Sequence, residues 1–223
     1  MATIYNPNGV SNGLVLYYDA GNLRSYPGSG TTLFDLSGNG ISATGGSAIS
    51  GGSLSDTQTY TTSTTSILNT DTHSIFMMLQ INGTNGSWSK IFGYEPSGTD
   101  RSPGVWRWPS SRRLHWRYDP GNTGADFSVD AVGNEAGTEF TPNVWYYVGV
   151  TKNGSAARSY TNGTYLGQQT VATTKTAGNA AISLYPAYNQ NTSKMALIQI
   201  YNRVLTDQEV SQNFNAVRDR FGI

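Results

Sequence analysis

Cysteine is absent from all 223 residues. That excludes disulfides, thiolate metal centres and cysteine nucleophiles together. It leaves the redox compartment open, because a chain without thiols tolerates either state. Charge is scarce as well: Asp, Glu, Lys and Arg make up 13% of the chain, about half the usual share. Fourteen cations balance fourteen anions, the pI lies near 6.7, and no block of like charge occurs. A phosphate backbone would find no basic surface, so no nucleic-acid partner is expected. No stretch approaches the ~20 apolar residues of a membrane span, so no membrane partner is expected either. Residues 1–10 lack a basic region followed by an apolar run, so no signal peptide is expected. Glutamate occurs only at Glu95, Glu135, Glu139 and Glu209, and histidine only at His73 and His115.

Aromatic residues are plentiful, at 12% with 14 Tyr, 7 Phe and 5 Trp, and disordered chains are poor in them. The length suits one all-β domain spanning 1–223. Its candidate strands are short and separated by Gly, Asn and Ser. The run 14–18 is continuously apolar, as in a strand covered on both faces. In 74–81, Ile75, Met77, Leu79 and Ile81 share one face. Further strands are expected at 90–94, 114–118, 127–129, 145–150, 157–160, 165–170, 182–185 and 195–201. In the last, Met195, Leu197, Gln199 and Tyr201 should oppose Ala196, Ile198 and Ile200. Asn153-Gly154 and Asn162-Gly163 read as tight hairpin turns, because both residue types accept positive φ. The Ser/Thr/Gly-rich stretch 42–66 reads as edge strands and loops, the alternative being a mobile linker. Many short strands with regular turns point to a sandwich or barrel. One helix is expected, at 206–221, opened by a Thr206/Glu209 capping box. Val210, Phe214, Val217 and Phe221 form its apolar stripe, which packs either on the domain's own sheet or on a neighbouring subunit. Residues 1–12 form an N-terminal arm.

Three segments carry a resemblance. They are GLVLYYDAGN with FDLSGNG near the start, VWYYVGVTKNGSAARSYTNGTYLG in the middle, and ALIQIYNRVLTDQEVSQNFN at the end. Together they resemble the laminin-G-like, concanavalin A-like lectin/glucanase domains. That resemblance implies a two-sheet antiparallel jelly-roll sandwich with a short C-terminal helix. YPGSGTTLFDLSGNG and NFNAVRDRFGI are similar to domains of tailed-bacteriophage structural proteins. This implies a virion location, assembly in the host cytoplasm, and partners among other virion proteins, copies of this chain, or host-surface glycans.

Hydrolases on such a sandwich use paired carboxylates projecting from one strand into the cleft. No alternating Glu/Asp motif exists here, so the chain is expected not to be an enzyme; a hydrolase or lyase would need carboxylates converging from distant segments. His73 and His115 read as partly exposed sheet residues. The resemblance makes Asp19 and Asp35 candidate calcium ligands. Asp35 could equally cap a turn by bonding its own backbone, and Gln199 stands where many relatives carry an acid. Asp100, Asp119, Asp126 and Asp130 form a second, looser cluster. For sugars, which stack their C–H surfaces on aromatic faces, the dense stretch 106–118 offers Trp106, Trp108, Arg113, Trp116 and Tyr118. Pro103, Gly104 and Pro109 place Trp106 and Trp108 in a loop, and Tyr188 lies in a second loop with Tyr185 and Asn189. The alternative for 106–118 is a sheet face on which Arg covers Trp. The function expected is that of a lectin-like virion decoration or adhesion protein, the alternative being a free carbohydrate-binding lectin.

Overall fold

The computed structural model describes residues 9–94, 102–118, 124–173, 178–185 and 193–223. Two antiparallel sheets face each other. The first runs in the order β1 (Leu14–Asp19), β15 (Lys194–Tyr201), β6 (His73–Gln80), β11 (Trp145–Asn153), β12 (Ala156–Thr161), β13 (Thr164–Thr170), with β4 (Leu54–Ser55) paired to β15 off this path. The second runs β10 (Gly124–Phe127), β9 (Leu114–Arg117), β8 (Gly104–Arg107), β7 (Ser89–Tyr94), β14 (Ala180–Leu184), β5 (Tyr60–Thr65), β3 (Ala43–Gly45), β2 (Thr32–Leu33). Nearly every strand expected from the sequence is present. The strand expected at 127–129 lies earlier, at β10, and β8 occupies a stretch that read as a loop.

Period-2 alternation sorts each strand between two layers. Ile75, Met77 and Leu79 of β6 join Leu16, Tyr18, Val148, Ile182 and Trp116 in the layer between the sheets. Phe76 and Met78 point the other way, into a second apolar layer with Tyr17, Tyr147, Tyr160 and Tyr201. That outer layer is roofed by α1 (Asp207–Val217) and the 3₁₀ turn Arg218–Phe221. The first sheet is therefore covered on both faces, which is why the 14–18 run carries no alternation.

The helix begins where its sequence says it should, with both halves of the Thr206/Glu209 capping box formed. Its stripe of Val210, Phe214 and Val217 is buried against the domain's own sheet, and Phe221 packs on Trp145 at 5.1 Å. Each such side chain stabilises the fold by about 1.5–3 kcal/mol. Polar contacts pin both ends of this layer. Asp207 accepts from Tyr160 Oη at 2.8 Å and Arg158 Nη2 at 3.0 Å. At the far end Arg220 Nη1 donates to Asp19 Oδ2 at 2.7 Å. Asn213 donates to Tyr201 Oη and accepts from the Val10 N–H, which fixes residues 9–12 beside the helix.

Two local expectations change. In β15 a register shift between Met195 and Leu197 interrupts the alternation. Met195 thus joins Ile198 and Ile200 inside, while Ala196 sits with Leu197 and Tyr201 under the helix. The extra residue of a bulge turns every preceding side chain to the opposite face. In the β11–β12 hairpin Asn153 pairs with Ala156, so Gly154-Ser155 is the turn, with positive φ at Gly154 alone. Of the two expected Asn-Gly turns, Asn162-Gly163 alone places both residues at positive φ, at 50° and 77°.

Candidate carbohydrate-binding site

Register on the second sheet builds a polar row facing away from the core. Asp126 of β10 lies opposite His115 of β9, His115 opposite Trp106 of β8, and Trp106 opposite Lys90 of β7. Their neighbours Phe127, Leu114, Trp116 and Val105 all fill the core, so alternation forces this row outward. At its β10 end, His115 Nδ1 lies 2.7 Å from Asp126 Oδ1. A carboxylate only accepts, so Nδ1 carries the proton. The same oxygen accepts Trp108 Nε1 at 3.0 Å. Two donors on Oδ1 fix the carboxylate, while Oδ2 takes no hydrogen bond from the described residues. His115 Nε2 is buried and also without a hydrogen-bond partner among them.

Two half-buried tryptophans frame these acceptors. Trp88 and Trp108 lie 4.6 Å apart at 42°, and both present rings edge-on to His115, at 5.3 Å and 6.3 Å. They sit on different connections, one before β7 and one after β8, and Arg107 joins the two. Its buried guanidinium donates to Asn85 Oδ1 at 2.6 Å and Ser87 O at 3.1 Å on the first connection and to Ser89 Oγ at 2.9 Å at the start of β7. On the second it donates to Trp108 O and to Ser111 O at 2.9 Å. Burial lowers the Arg107 pKa from its ordinary value, and the five acceptors stabilise the charge. The result is a pre-positioned aromatic pair beside one uncommitted acceptor, Asp126 Oδ2, as recognition of a polyol with apolar C–H faces requires.

Of the residues singled out by sequence for sugar binding, Trp108 alone belongs to this site. Trp106 is a strand residue, buried, with the Lys90 ammonium 4.8 Å above its ring; the Pro103 and Pro109 breaks flank β8 rather than dissolve it. Trp116 and Tyr118 stack at 5.2 Å within the core, where neither can offer a face to a ligand. Arg113 turns to the 136–139 loop, donating to Ala136 O at 3.1 Å and Gly137 O at 2.7 Å. Tyr188, with Asn189, lies outside the described residues, and Tyr185 is buried. Both histidines are buried rather than partly exposed: His73 packs on Trp116 and Tyr118. Trp88 went unnoticed, and its signal is a tryptophan among polar turn residues in Gly86-Ser87-Trp88-Ser89. Asp126 stood in the loose acidic cluster, not beside the aromatics. Asp100 and Asp119 lie outside the described residues. Asp130 instead closes a turn through the Thr138 N–H and hydroxyl, which hold its carboxyl below the usual range.

Asp19 and Asp35 do not suit a calcium ion. Asp35 accepts the Tyr17, Ser37 and Ile41 N–H groups and the Ser37 hydroxyl, which makes it the organiser of its loop. Asp19 is committed to Arg220, whose positive charge opposes a cation at the same carboxylate. Gln199 is buried and accepts from Tyr147 Oη at 2.7 Å; an acid there would place a charge in the aromatic layer under the helix. Among the described residues no group of three or more His, Asp or Glu could hold a metal.

The architecture defines a lectin-type β-sandwich. Residues 54–211 match the family described as the concanavalin A-like lectin/glucanases superfamily (Laminin_G_3), and the chain belongs to that family. Solved structures agree on the fold. The binding domain of botulinum neurotoxin serotype D superposes with a TM-score of 0.71 at 12% identity, over 92% of this chain and 52% of that one. Trypanosoma rangeli sialidase gives 0.66 at 15% identity, over 94% of this chain and 33% of that one. The receptor binding domain of botulinum neurotoxin type G gives 0.60 at 14% identity, over 92% and 51%. The chain thus spans between a third and about half of these proteins. Comparison with curated proteins gave no match.

Proposed function

We propose that this chain is a non-catalytic carbohydrate-binding module whose ligand stacks on Trp88 and Trp108 and hydrogen-bonds Asp126 Oδ2. The observation that carries this reading is the Asp126 carboxylate, fixed through one oxygen by His115 and Trp108 and open through the other beside the tryptophan pair. The absence of turnover is supported by the surroundings of His115. Its ring meets Trp88 in an edge contact, and no hydroxyl is bonded to its buried Nε2 among the described residues, whereas a nucleophilic triad needs a serine there. An oligosaccharide panel tests the proposal. At least one neutral glycan should bind in the micromolar to millimolar range without release of reducing ends. Trp108→Ala should weaken that binding about tenfold or more, corresponding to a contact of about 1.4 kcal/mol. No binding anywhere in the panel, or turnover abolished by a single acid substitution, contradicts the proposal.

The setting we propose is the particle of a tailed phage, with other virion proteins or copies of this chain as partners. It rests on the resemblance of the 26–40 and 213–223 segments. The α1 stripe is spent on the domain's own sheet, so assembly contacts would fall on other surfaces, such as the exposed Leu23 and Phe34. Mass spectrometry of purified particles tests this: recovery only in the soluble host fraction contradicts it.

A further inference from the structure

The loop leading into β4 and the start of β15 enclose a second recess, a cleft of about 450 Å³. Ser47, Ser50, Ser53, Gly51 and Gln58 line it, and Lys194 stands at its side. Its charge is one-sided. Lys194 is exposed and makes no ion pair among the described residues, and no Asp or Glu lines the cleft. Asp56 sits between two lining residues in sequence, but it is buried and does not line the cleft. The hydroxyls of Ser47, Ser50 and Ser53 make no hydrogen bond among the described residues, so donors are in reserve beside the ammonium. The wall that carries them is set in advance. Ser50 and Ser53 form a β-bridge across Gly51 and Gly52, at φ 65° and 69°, a tight turn that L side chains rarely adopt.

Chain topology puts this cleft at the same end of the sandwich as the tryptophan pair. Lys194 pairs with Gln80, the last residue of β6, and the connection from there to β7 carries Trp88. Thr59, next to Gln58, bonds Tyr185 O, and Tyr185 N bonds Ile91 O of β7.

We infer that this cleft is an anion subsite, taking the carboxylate or sulfate group of an acidic glycan. A single ammonium among hydroxyl donors, with no competing carboxylate, matches a monovalent oxyanion. That the anion is borne on a glycan rests on the function proposed above; the anion subsite itself does not.

The test has two arms on the full chain. Sulfate and acetate, titrated separately and followed by backbone amide NMR, should give saturable shifts confined to 47–58 and 193–195. Lys194→Gln should abolish them with an unchanged melting temperature. A uronic-acid and a sulfated oligosaccharide should each bind about tenfold more tightly than the neutral parent, and the difference should vanish in Lys194→Gln while neutral binding stays the same. Whichever acidic sugar gains more identifies the group. Absence of saturable shifts, or shifts that persist in Lys194→Gln, overturns the subsite whatever the panel shows. Saturable shifts with no glycan binding keep the subsite and overturn the sugar reading. Equal affinity for acidic and neutral sugars overturns the acidic glycan.

Discussion

Replacing Phe214 tests how much the helix contributes to the sandwich. The ring is 8% exposed, lies 6.2 Å from the Tyr147 ring, and sits so near Gly163 that a Cβ there would come within 2.9 Å of Phe214 Cδ1. Phe→Ala in a core costs about 3–5 kcal/mol, the spread reflecting how far the site collapses. Phe214 lies at the rim of the outer layer, where the helix can settle inward, so a loss of about 3 kcal/mol is expected for Phe214→Ala. In a domain of this size each kcal/mol lowers the Tm by about 2–4 °C, which gives a drop of about 6–12 °C. Phe214→Asp should lose more, because an ion replaces the ring in an apolar setting. Asn215→Ala is the control: its side chain is exposed and makes one long bond to Ser211, so it should stay within about 0.5 kcal/mol of wild type. Urea and thermal melts read both. If Phe214→Ala and Asn215→Ala melt together, the stripe is not buried on the sheet and the account of the outer layer is wrong.

Arg107→Met should cost at least about 3 kcal/mol, because each orphaned buried acceptor costs about 1–3. It should also weaken glycan binding although Arg107 touches no ligand, and Arg107→Lys should rescue neither, because one ammonium cannot span both connections; unchanged affinity in a folded Arg107→Met would remove its positioning role. The Arg203 guanidinium, with help from the Thr206 N–H, lowers the Glu209 pKa to about 2, against about 4.3 for a free glutamate. A depressed acid stabilises the fold above the unfolded value, and the effect is lost as pH falls toward the folded one. The gap between wild type and Glu209→Gln should therefore be about 0.5–1 kcal/mol at pH 6, small because the pair is partly solvated, and should close between pH 4.5 and 2; a pH-independent gap would contradict the pairing.

The scaffold was largely legible because its signals are local. Alternation in 74–81, the Asn162-Gly163 turn and the Thr206/Glu209 box each need only a few neighbouring residues, and each forms as read. Features set by one inserted residue were not legible: the β15 shift moves Met195 to the opposite face with nothing in 194–201 to announce it. The site was partly visible as aromatic density, but density does not say which face a ring takes. In 114–118 alternation buries Trp116 and Tyr118 and turns His115 outward, so the histidine passed over is the one in the site. Its partners Trp88 and Asp126 come from a distant connection and from a different strand, brought together by sheet order. The Arg107 contacts that hold Trp88 to Trp108 span 18 to 22 residues and leave no pattern in the chain.

The central claim, that Trp88 and Trp108 form the ligand surface, is tested most directly by the indole N–H resonances of the five tryptophans during titration with the tightest glycan from the panel. Saturable shifts should occur at Trp88 and Trp108, with Trp106, Trp116 and Trp145 silent. The Trp108 resonance, bonded to Asp126, should move most. Saturable binding that leaves Trp88 and Trp108 unmoved would place the ligand elsewhere and contradict the account.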